Sequence, residues 1–377
     1  MASGQGRIAI LSPYLHHAEG YGGITPWLVN LSNGFIDRGY QVDVLVNAKP
    51  STSLINSQFD SRARILNLGY HKWQAFVKLK QYLQQDNPQV LLSAGYRYNT
   101  MAAWSKLLTF NAPATYLSVH EQVSVGSSGL SSRRQRSRFK WMRRLYSKMD
   151  GVIAVSQGVA DDLVLNIGIP GNHIQALPNP ISIERVTGLA EEAVSHPWLT
   201  ADSNVPVILG VGRLEEQKGF DLLIRSFAKL RSSRPAKLII LGEGGCRKSL
   251  QDLAIELEVE SDIDMPGFKG NPYPFISRAD LFVLSSRWEG LGYVLIESAL
   301  LGTPIVSTDC PSGPSEVLKQ GVFGHLAPVD DVEALAEAMA AALDSPKASG
   351  DILRSRGKEF GIEAVTGMYL SYMKLSS

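Results

Sequence analysis

The sequence is poor in several things that would have decided its class at once. It has 377 residues but only two cysteines, Cys246 and Cys310. That is too few for a disulfide framework or a thiolate zinc cluster, so the expectation is two reduced thiols in a cytoplasmic protein. Charged residues make up 19%, below the roughly 25% usual in soluble domains, which excludes a charge-dominated disordered chain. No apolar run approaches the roughly 18 residues that a membrane span needs. The opening Met1-Ala-Ser-Gly-Gln-Gly lacks the basic-then-apolar build of a secretory leader, and none is expected. A Walker loop, with its Gly-Lys-Ser/Thr ending, is missing, which disfavours ATPase chemistry. The glycines after Ser12 do not spell the dinucleotide fingerprint either, which disfavours hydride transfer. There is no short repeat and no low-complexity tract.

What is present is an uneven chain. Residues 1–178 hold 18 Lys and Arg against 9 Asp and Glu, a balance of +9. Residues 179–377 hold the other 19 and 27, a balance of −8. Halves of opposite sign point to different partners. The pattern in each half is the same, however. Short β-branched runs over 7–12, 41–46, 64–68, 90–93, 114–119, 151–155 and 174–177 alternate with amphipathic stretches over 25–38, 73–85 and 100–108 and a basic one near 133–148. After Pro178-Asn179-Pro180 a poorly periodic stretch runs to Pro206. The alternation then restarts with strands over 207–211, 238–241, 281–284 and 304–308, and helices over 220–231, 247–257, 293–301 and 332–343. Such alternation predicts α/β architecture with parallel sheets covered on both faces. The expectation is two Rossmann-like domains, 1–178 and 179–359, with a final helix in 360–377 packing back on the first. Sheets of this kind bind ligands where strands end and helices begin.

Two stretches in the second half sit at such junctions. In Ser285-Ser286-Arg287-Trp288-Glu289-Gly290-Leu291-Gly292-Tyr293, glycines let the backbone approach a ligand and a helix N-terminus offers N–H groups, which suits phosphate. Glu289 precedes that helix and Glu297 lies within it, a spacing that makes no metal pair by itself. Carboxylates beside an anion site repel phosphate unless they accept hydrogen bonds from hydroxyls, and sugars supply hydroxyls. The same two glutamates also read as a helix cap and a solvated side chain. In Gly210-Val211-Gly212-Arg213-Leu214-Glu215-Glu216-Gln217-Lys218-Gly219, Arg213 and Lys218 offer permanent positive charge to a diphosphate. Asp262-Ile263-Asp264 has a metal-binding spelling, but no metal is expected there.

Taken together, these residues resemble the retaining glycosyltransferases of family 4, whose GT-B fold has two facing Rossmann-like domains and an interdomain cleft. The resemblance is strongest over 210–328 and includes Thr308-Asp309-Cys310-Pro311-Ser312-Gly313-Pro314-Ser315-Glu316. It implies a nucleotide-diphosphate sugar held by the second domain. Arg213 and Lys218 would then neutralise the diphosphate leaving group, a form of electrostatic preorganisation. Gly212, with the backbone of Gly290, Leu291 and Gly292, would hold phosphates and sugar. Glu289 would accept from sugar hydroxyls and Glu297 from the ribose, while the turn Pro266-Gly267-Phe268 receives the base. In the first domain, Gly22 and Gly23 match the glycine loop that approaches the diphosphate, and His120 matches the active-site histidine. Transfer with retention would need no metal.

The acceptor side is read from residues 133–148, which hold eight basic residues and no acidic one. On a helix, Phe139, Met142, Tyr146 and Met149 share one face. Arg133, Arg134, Arg136, Arg138, Lys140, Trp141, Arg143 and Arg144 would then meet an anionic membrane surface, against the alternative of a core-packed helix with a solvated basic face. No nucleic-acid-reading motif accompanies them. The expected function is transfer of a hexose or N-acetylhexosamine from a UDP-sugar to a glycan or lipid-linked acceptor in bacterial cell-surface polysaccharide synthesis, in the cytoplasm or peripherally on the inner face of its membrane. UDP-galactose, UDP-glucose, their N-acetyl forms and GDP-mannose stay open as donors. A nucleotide-sugar epimerase of the same fold and a non-catalytic nucleotide-sugar-binding protein are the alternatives.

Overall fold

The computed structural model describes residues 5–13, 23–47, 59–69, 71–127, 129, 131–199 and 205–375. The chain divides into two compact units, Met1–Ile181 with Ile362–Ser377, and Ser182–Gly361. The divisions fall at 181/182 and 361/362, where the sequence pattern placed them at 178/179 and 359/360.

In the first unit seven strands form one parallel sheet: β1 (Gln5–Ser12), β2 (Tyr40–Val46), β3 (Arg64–Asn67), β4 (Val90–Ala94), β5 (Ala114–Val119), β6 (Gly151–Ala154) and β7 (Ile174–Ala176), in the order β3-β2-β1-β4-β5-β6-β7. Alternate residues of the central strands, Ile8, Ile10, Val42, Val44 and Leu92, make one buried face. Against it lie Trp27, Leu31 and Phe35 of helix Ile24–Asp37 and Val365, Tyr369 and Leu370 of helix Ile362–Tyr372. Each such side chain contributes about 1.5–3 kcal/mol by burial, which is why the last helix returns to the first unit. The two helices approach closely at Gly34, where a Cβ would lie 2.1 Å from Thr366 Oγ1.

The second unit has six parallel strands: β8 (Val207–Val211), β9 (Lys237–Leu241), β10 (Ile263–Gly267), β11 (Leu281–Leu284), β12 (Ile305–Thr308) and β13 (His325–Ala327), in the order β10-β9-β8-β11-β12-β13. In each sheet the order reverses beside the first strand, between β1 and β4 and between β8 and β11. Loops leaving the two strands there turn to opposite faces and open a crevice at the strands' carboxyl ends.

Local structure departs from the sequence pattern in several places, among them two helices that it did not show. The stretch read as aperiodic after Pro180 contains helix Ile183–Ala190, capped where Ser182 accepts from the Arg185 N–H at 3.4 Å. It buries only Val186 and Ala190, too few positions to show a period. Helix Gly350–Lys358 is mostly polar and equally silent in the pattern. It packs on helix Tyr293–Leu301 through Gly357, where a Cβ would lie 2.6 Å from the Leu300 backbone. Among the described residues, no helix is long and apolar enough to cross a membrane. At Gly357 the backbone contact yields only if the helices separate. Gly357→Ala gains about 1 kcal/mol of helix propensity but loses about 1–3 kcal/mol to overpacking. A lowered denaturation midpoint for the second unit is the expected result, read by equilibrium unfolding with hydrogen exchange.

Candidate functional site

The crevice of the second unit is built by two loops, one after β8 and one after β11. Lys218 ends the first and Glu289 stands in the second, and the Lys218 Nζ lies 2.5 Å from Glu289 Oε1. Both side chains are withdrawn from water, at 16% and 8% exposure. The sequence pattern placed these residues in separate clusters; the fold makes them one ion pair. Gly212 and Gly219 permit it. A Cβ on Gly212 would press within 3.3 Å of the Lys218 stem, and one on Gly219, at φ +59, would lie 2.1 Å from Ser285 O. Arg213 stays at the rim, about half exposed, paired with Glu215 at 2.8 Å and donating to Gln217 Oε1 at 3.1 Å. Each cation expected to meet a diphosphate therefore has a carboxylate partner within its own loop system.

Hydroxyl groups fix the pair from beneath. Ser286 Oγ donates to Glu289 Oε1 at 2.6 Å and Ser312 Oγ to the Glu289 carbonyl at 2.5 Å. Ser285 Oγ donates to the Lys218 carbonyl at 2.8 Å, and Thr308 Oγ1 to the Ser286 carbonyl at 2.5 Å. All four are buried. Sequence reasoning missed them as site residues. The available signal was a hydroxyl residue at the carboxyl end of each of two adjacent strands, which periodicity ignores. Cys310 lies behind them, its thiol pushed up to about 12 by burial and then by the nearby Glu289, so it stays neutral.

Beyond Glu289, Gly290 and the buried Leu291 lead to Gly292, which adopts φ +80 at the start of helix Tyr293–Leu301 with no side-chain cap. One turn further, Glu297 accepts from the Tyr273 hydroxyl at 3.1 Å. Burial raises its carboxyl to about 7, a shift that the Tyr273 bond only partly offsets. Pro266 and Gly267 close β10 at the neighbouring crevice edge, Gly267 at φ +85, and Phe268 follows half-exposed. Asp262 precedes this strand and pairs with Arg231 and Lys237, while Asp264 accepts from His196 at 2.9 Å. The two aspartates thus serve different partners.

In the first unit, Gly23 precedes helix Ile24–Asp37, and Gly22 lies outside the described residues. His120 stands immediately after β5, its ring edge-on to Trp27 at 4.8 Å between centroids. Burial holds its imidazole down at about 3. Helix Ser132–Tyr146 buries Met142, Leu145 and Tyr146, with Phe139 half-buried and Met149 buried just beyond its end. Arg133, Arg134, Arg136, Lys140, Arg143 and Arg144 face water, as does Trp141, while Arg138 stacks on Tyr96 at 4.1 Å from the ring centroid. The sequence pattern did not foresee the neighbouring helix Tyr96–Leu107 as part of this face. Its exposed Trp104, Leu107 and Leu108 and the 88% exposed Phe110 extend an apolar strip. Tyr96, Thr100, Trp104, Trp141, Met142 and Leu145 line a cavity of about 250 Å³ between the two helices.

Comparison with known proteins follows this geometry. Residues 21–185 match the family described as Glycosyltransferase Family 4, and residues 195–360 match Glycosyl transferases group 1. The chain is similar, at 32% identity, to the N-acetylgalactosamine-N,N'-diacetylbacillosaminyl-diphospho-undecaprenol 4-alpha-N-acetylgalactosaminyltransferase of Campylobacter jejuni, over 61% of each sequence. A lipopolysaccharide core biosynthesis glycosyltransferase of Rhizobium meliloti is 26% identical over 92% of both. Among solved structures, the Anabaena protein HepE in complex with UDP superposes with a TM-score of 0.79 at 17% identity, covering 98% of this chain and 99% of that one. Two Rossmann-like sheets of GT-B type, matched in both halves by glycosyltransferase families, place the chain among the family 4 glycosyltransferases.

Proposed function

We propose that the protein transfers a hexose or N-acetylhexosamine from a UDP-sugar to a glycan or lipid-linked acceptor, with retention of anomeric configuration and without a metal, in bacterial cell-surface polysaccharide synthesis. The Lys218–Glu289 pair at the strand-order reversal carries this reading. An arriving diphosphate competes for Lys218, and the released Glu289 then accepts from sugar hydroxyls while Ser286 and Ser312 hold it in place. Arg213 adds a second positive charge at the rim, and the uncapped helix start beyond Gly292 favours the phosphates. Glu297 accepts from the ribose, and Gly267 with Phe268 receives the base. The HepE structures with UDP and with UDP-glucose support this donor. The carboxylate of Asp262 is engaged by Arg231 and Lys237 and that of Asp264 by His196, which favours chemistry resting on fixed positive charge. The Campylobacter and Rhizobium relatives act, by name, on a lipid-diphosphate saccharide and in lipopolysaccharide core synthesis.

On the first unit, His120 contacts the saccharide, and the two-helix face with Trp104, Trp141 and the arginines of helix Ser132–Tyr146 rests on an anionic bilayer. Aromatic rings suit the interface, and each basic side chain near it contributes about 1 kcal/mol. On this reading the enzyme works in the cytoplasm or on the inner face of its membrane.

Lys218→Ala is expected to lower turnover about 10²–10³-fold in excess chelator while circular dichroism stays unchanged. Glu289→Gln should reduce kcat more than UDP affinity, since it meets sugar and not base. Titration of Glu297 gives a stability signature. A carboxyl raised in the folded state from 4.5 to about 7 contributes stability below pH 4.5 that is lost as pH rises through 7. Glu297→Gln should therefore flatten the fall in melting temperature between pH 5 and 8, and should weaken UDP binding by calorimetry. Sedimentation with phosphatidylglycerol vesicles should retain the protein at low salt and release it at high salt. Arg143→Glu with Arg144→Glu should abolish retention, and equal binding to neutral vesicles would count against an electrostatic contact.

A further inference from the structure

The cavity between helices Tyr96–Leu107 and Ser132–Tyr146 has one charged end and one apolar end. Tyr96 opens the first helix just after β4, and Arg138 of the second helix lies over its ring, 4.1 Å from the centroid. The Arg138 Nε is buried and has no hydrogen-bond partner among the described residues. Eight positions along, about 12 Å by helical rise, Trp104 meets Trp141 with ring centroids 6.3 Å apart. The buried Met142 and Leu145 complete that end. Between the two ends, Thr100 Oγ1 donates to the Tyr96 carbonyl at 2.8 Å, so its hydroxyl proton is already taken.

Such a lining is wrong for a saccharide or a nucleotide, whose hydroxyls would be buried against aromatic and aliphatic carbon. The volume of about 250 Å³ is also below the roughly 300–1,000 Å³ that encloses a whole small ligand. An apolar segment of something larger fits both facts, and the exposed Leu107, Leu108 and Phe110 give it an apolar path onward. Charge defines what that segment is attached to. Lys106 pairs with Asp150, but among the described residues no carboxylate pairs with any basic side chain of helix Ser132–Tyr146. Guanidinium groups without carboxylates, one of them with a buried N–H to spare, suit phosphate oxygens. The charged end also stands beside the strand ends. Asn99 donates to the Ser118 carbonyl at 2.9 Å, tying the start of its helix to the carboxyl end of β5, two residues before His120.

We propose that this cavity holds the hydrocarbon chain of a lipid phosphate. The phosphate sits on Arg138, and the saccharide it carries reaches the carboxyl ends of the first sheet's strands, so the acceptor is lipid-linked and not a free glycan. The lipid's role as acceptor rests on the reading that the first unit takes the saccharide to be extended; the lipid-phosphate site itself does not. One cavity of this size takes one chain. Its charged end beside the strand ends favours a lipid whose head continues into a sugar over a two-chain phospholipid of the bilayer.

Tryptophan fluorescence reads the site without turnover. 10-Bromodecyl phosphate, used below its micelle concentration, carries a quenching bromine at the far end of its chain. It should quench the wild type saturably, and quenching should be largely lost when Trp104→Phe and Trp141→Phe are combined. Decyl phosphate should displace it, while inorganic phosphate, decyl maltoside and dioctanoylphosphatidylglycerol should compete at least tenfold more weakly. Arg138→Gln should weaken binding about tenfold, and Thr100→Phe, which fills the cavity, should do the same, both with unchanged circular dichroism. If either variant does not fold, the competition series on the wild type decides. Absence of quenching would overturn the site. Equal competition by decyl maltoside, or undiminished binding in a folded Arg138→Gln, would overturn the phosphate seat. Equal competition by the phosphatidylglycerol would make the cavity a socket for bilayer lipid and overturn the acceptor assignment. If UDP-sugars bind and no quenching occurs, this inference falls and sugar transfer stands with a free glycan as acceptor. If no UDP-sugar binds at all, the functional reading fails, while the fluorescence still upholds or rejects the lipid-phosphate site.

Discussion

A lysine and a glutamate drawn together where the strand order reverses set the terms for the rest of the second unit. Taking both charges out of water costs free energy that their attraction only partly returns. The structure offsets that cost with Ser286, whose hydroxyl adds a charge-assisted bond to the carboxylate already holding Lys218. The glycines at 212 and 219 are consequences of the same constraint, since side chains there would push the lysine stem or the neighbouring loop away. An ion pair of this kind is weak as a source of stability, but it suits a site whose ligand takes over one partner. On the proposed function, phosphate would replace the carboxylate at Lys218 and hydroxyls would replace the lysine at Glu289. Neither charge need be left unpaired in either state.

The α/β architecture was legible in the sequence because parallel strands buried on both faces leave uninterrupted aliphatic runs, as β4 and β6 of the first sheet and β11 of the second do. Glu289 and the cations at 213 and 218 drew notice in the sequence for a different reason. They stand at strand-to-helix junctions among glycines, and that context gives their chemistry a place to act. What escaped depends on contacts distant in sequence. Ser312 reaches Glu289 across 23 positions, and a serine in a loop carries no mark of which carbonyl it meets. Helix Ile183–Ala190 escaped because two buried residues make no period. Trp104 escaped because a helix was foreseen there but not which of its faces lacks a covering element.

Two buried titratable groups contrast with the cations of the second unit. His120 is held low and Glu297 is held high, and in both cases burial is the dominant cause. Each is therefore pushed towards its neutral form within its own unit. Lys218 and Arg213 are different: each has a carboxylate partner. Charged groups in a low-dielectric crevice attract a diphosphate over distance, yet they discriminate poorly among hydroxyls. Neutral donors and acceptors with a fixed direction do the reverse, because a misplaced hydroxyl leaves a buried partner unmade at a cost of about 1–3 kcal/mol. On the proposed function, a ligand joining a pyrophosphate to a sugar would need both kinds of contact, and separate residues of the chain would supply them.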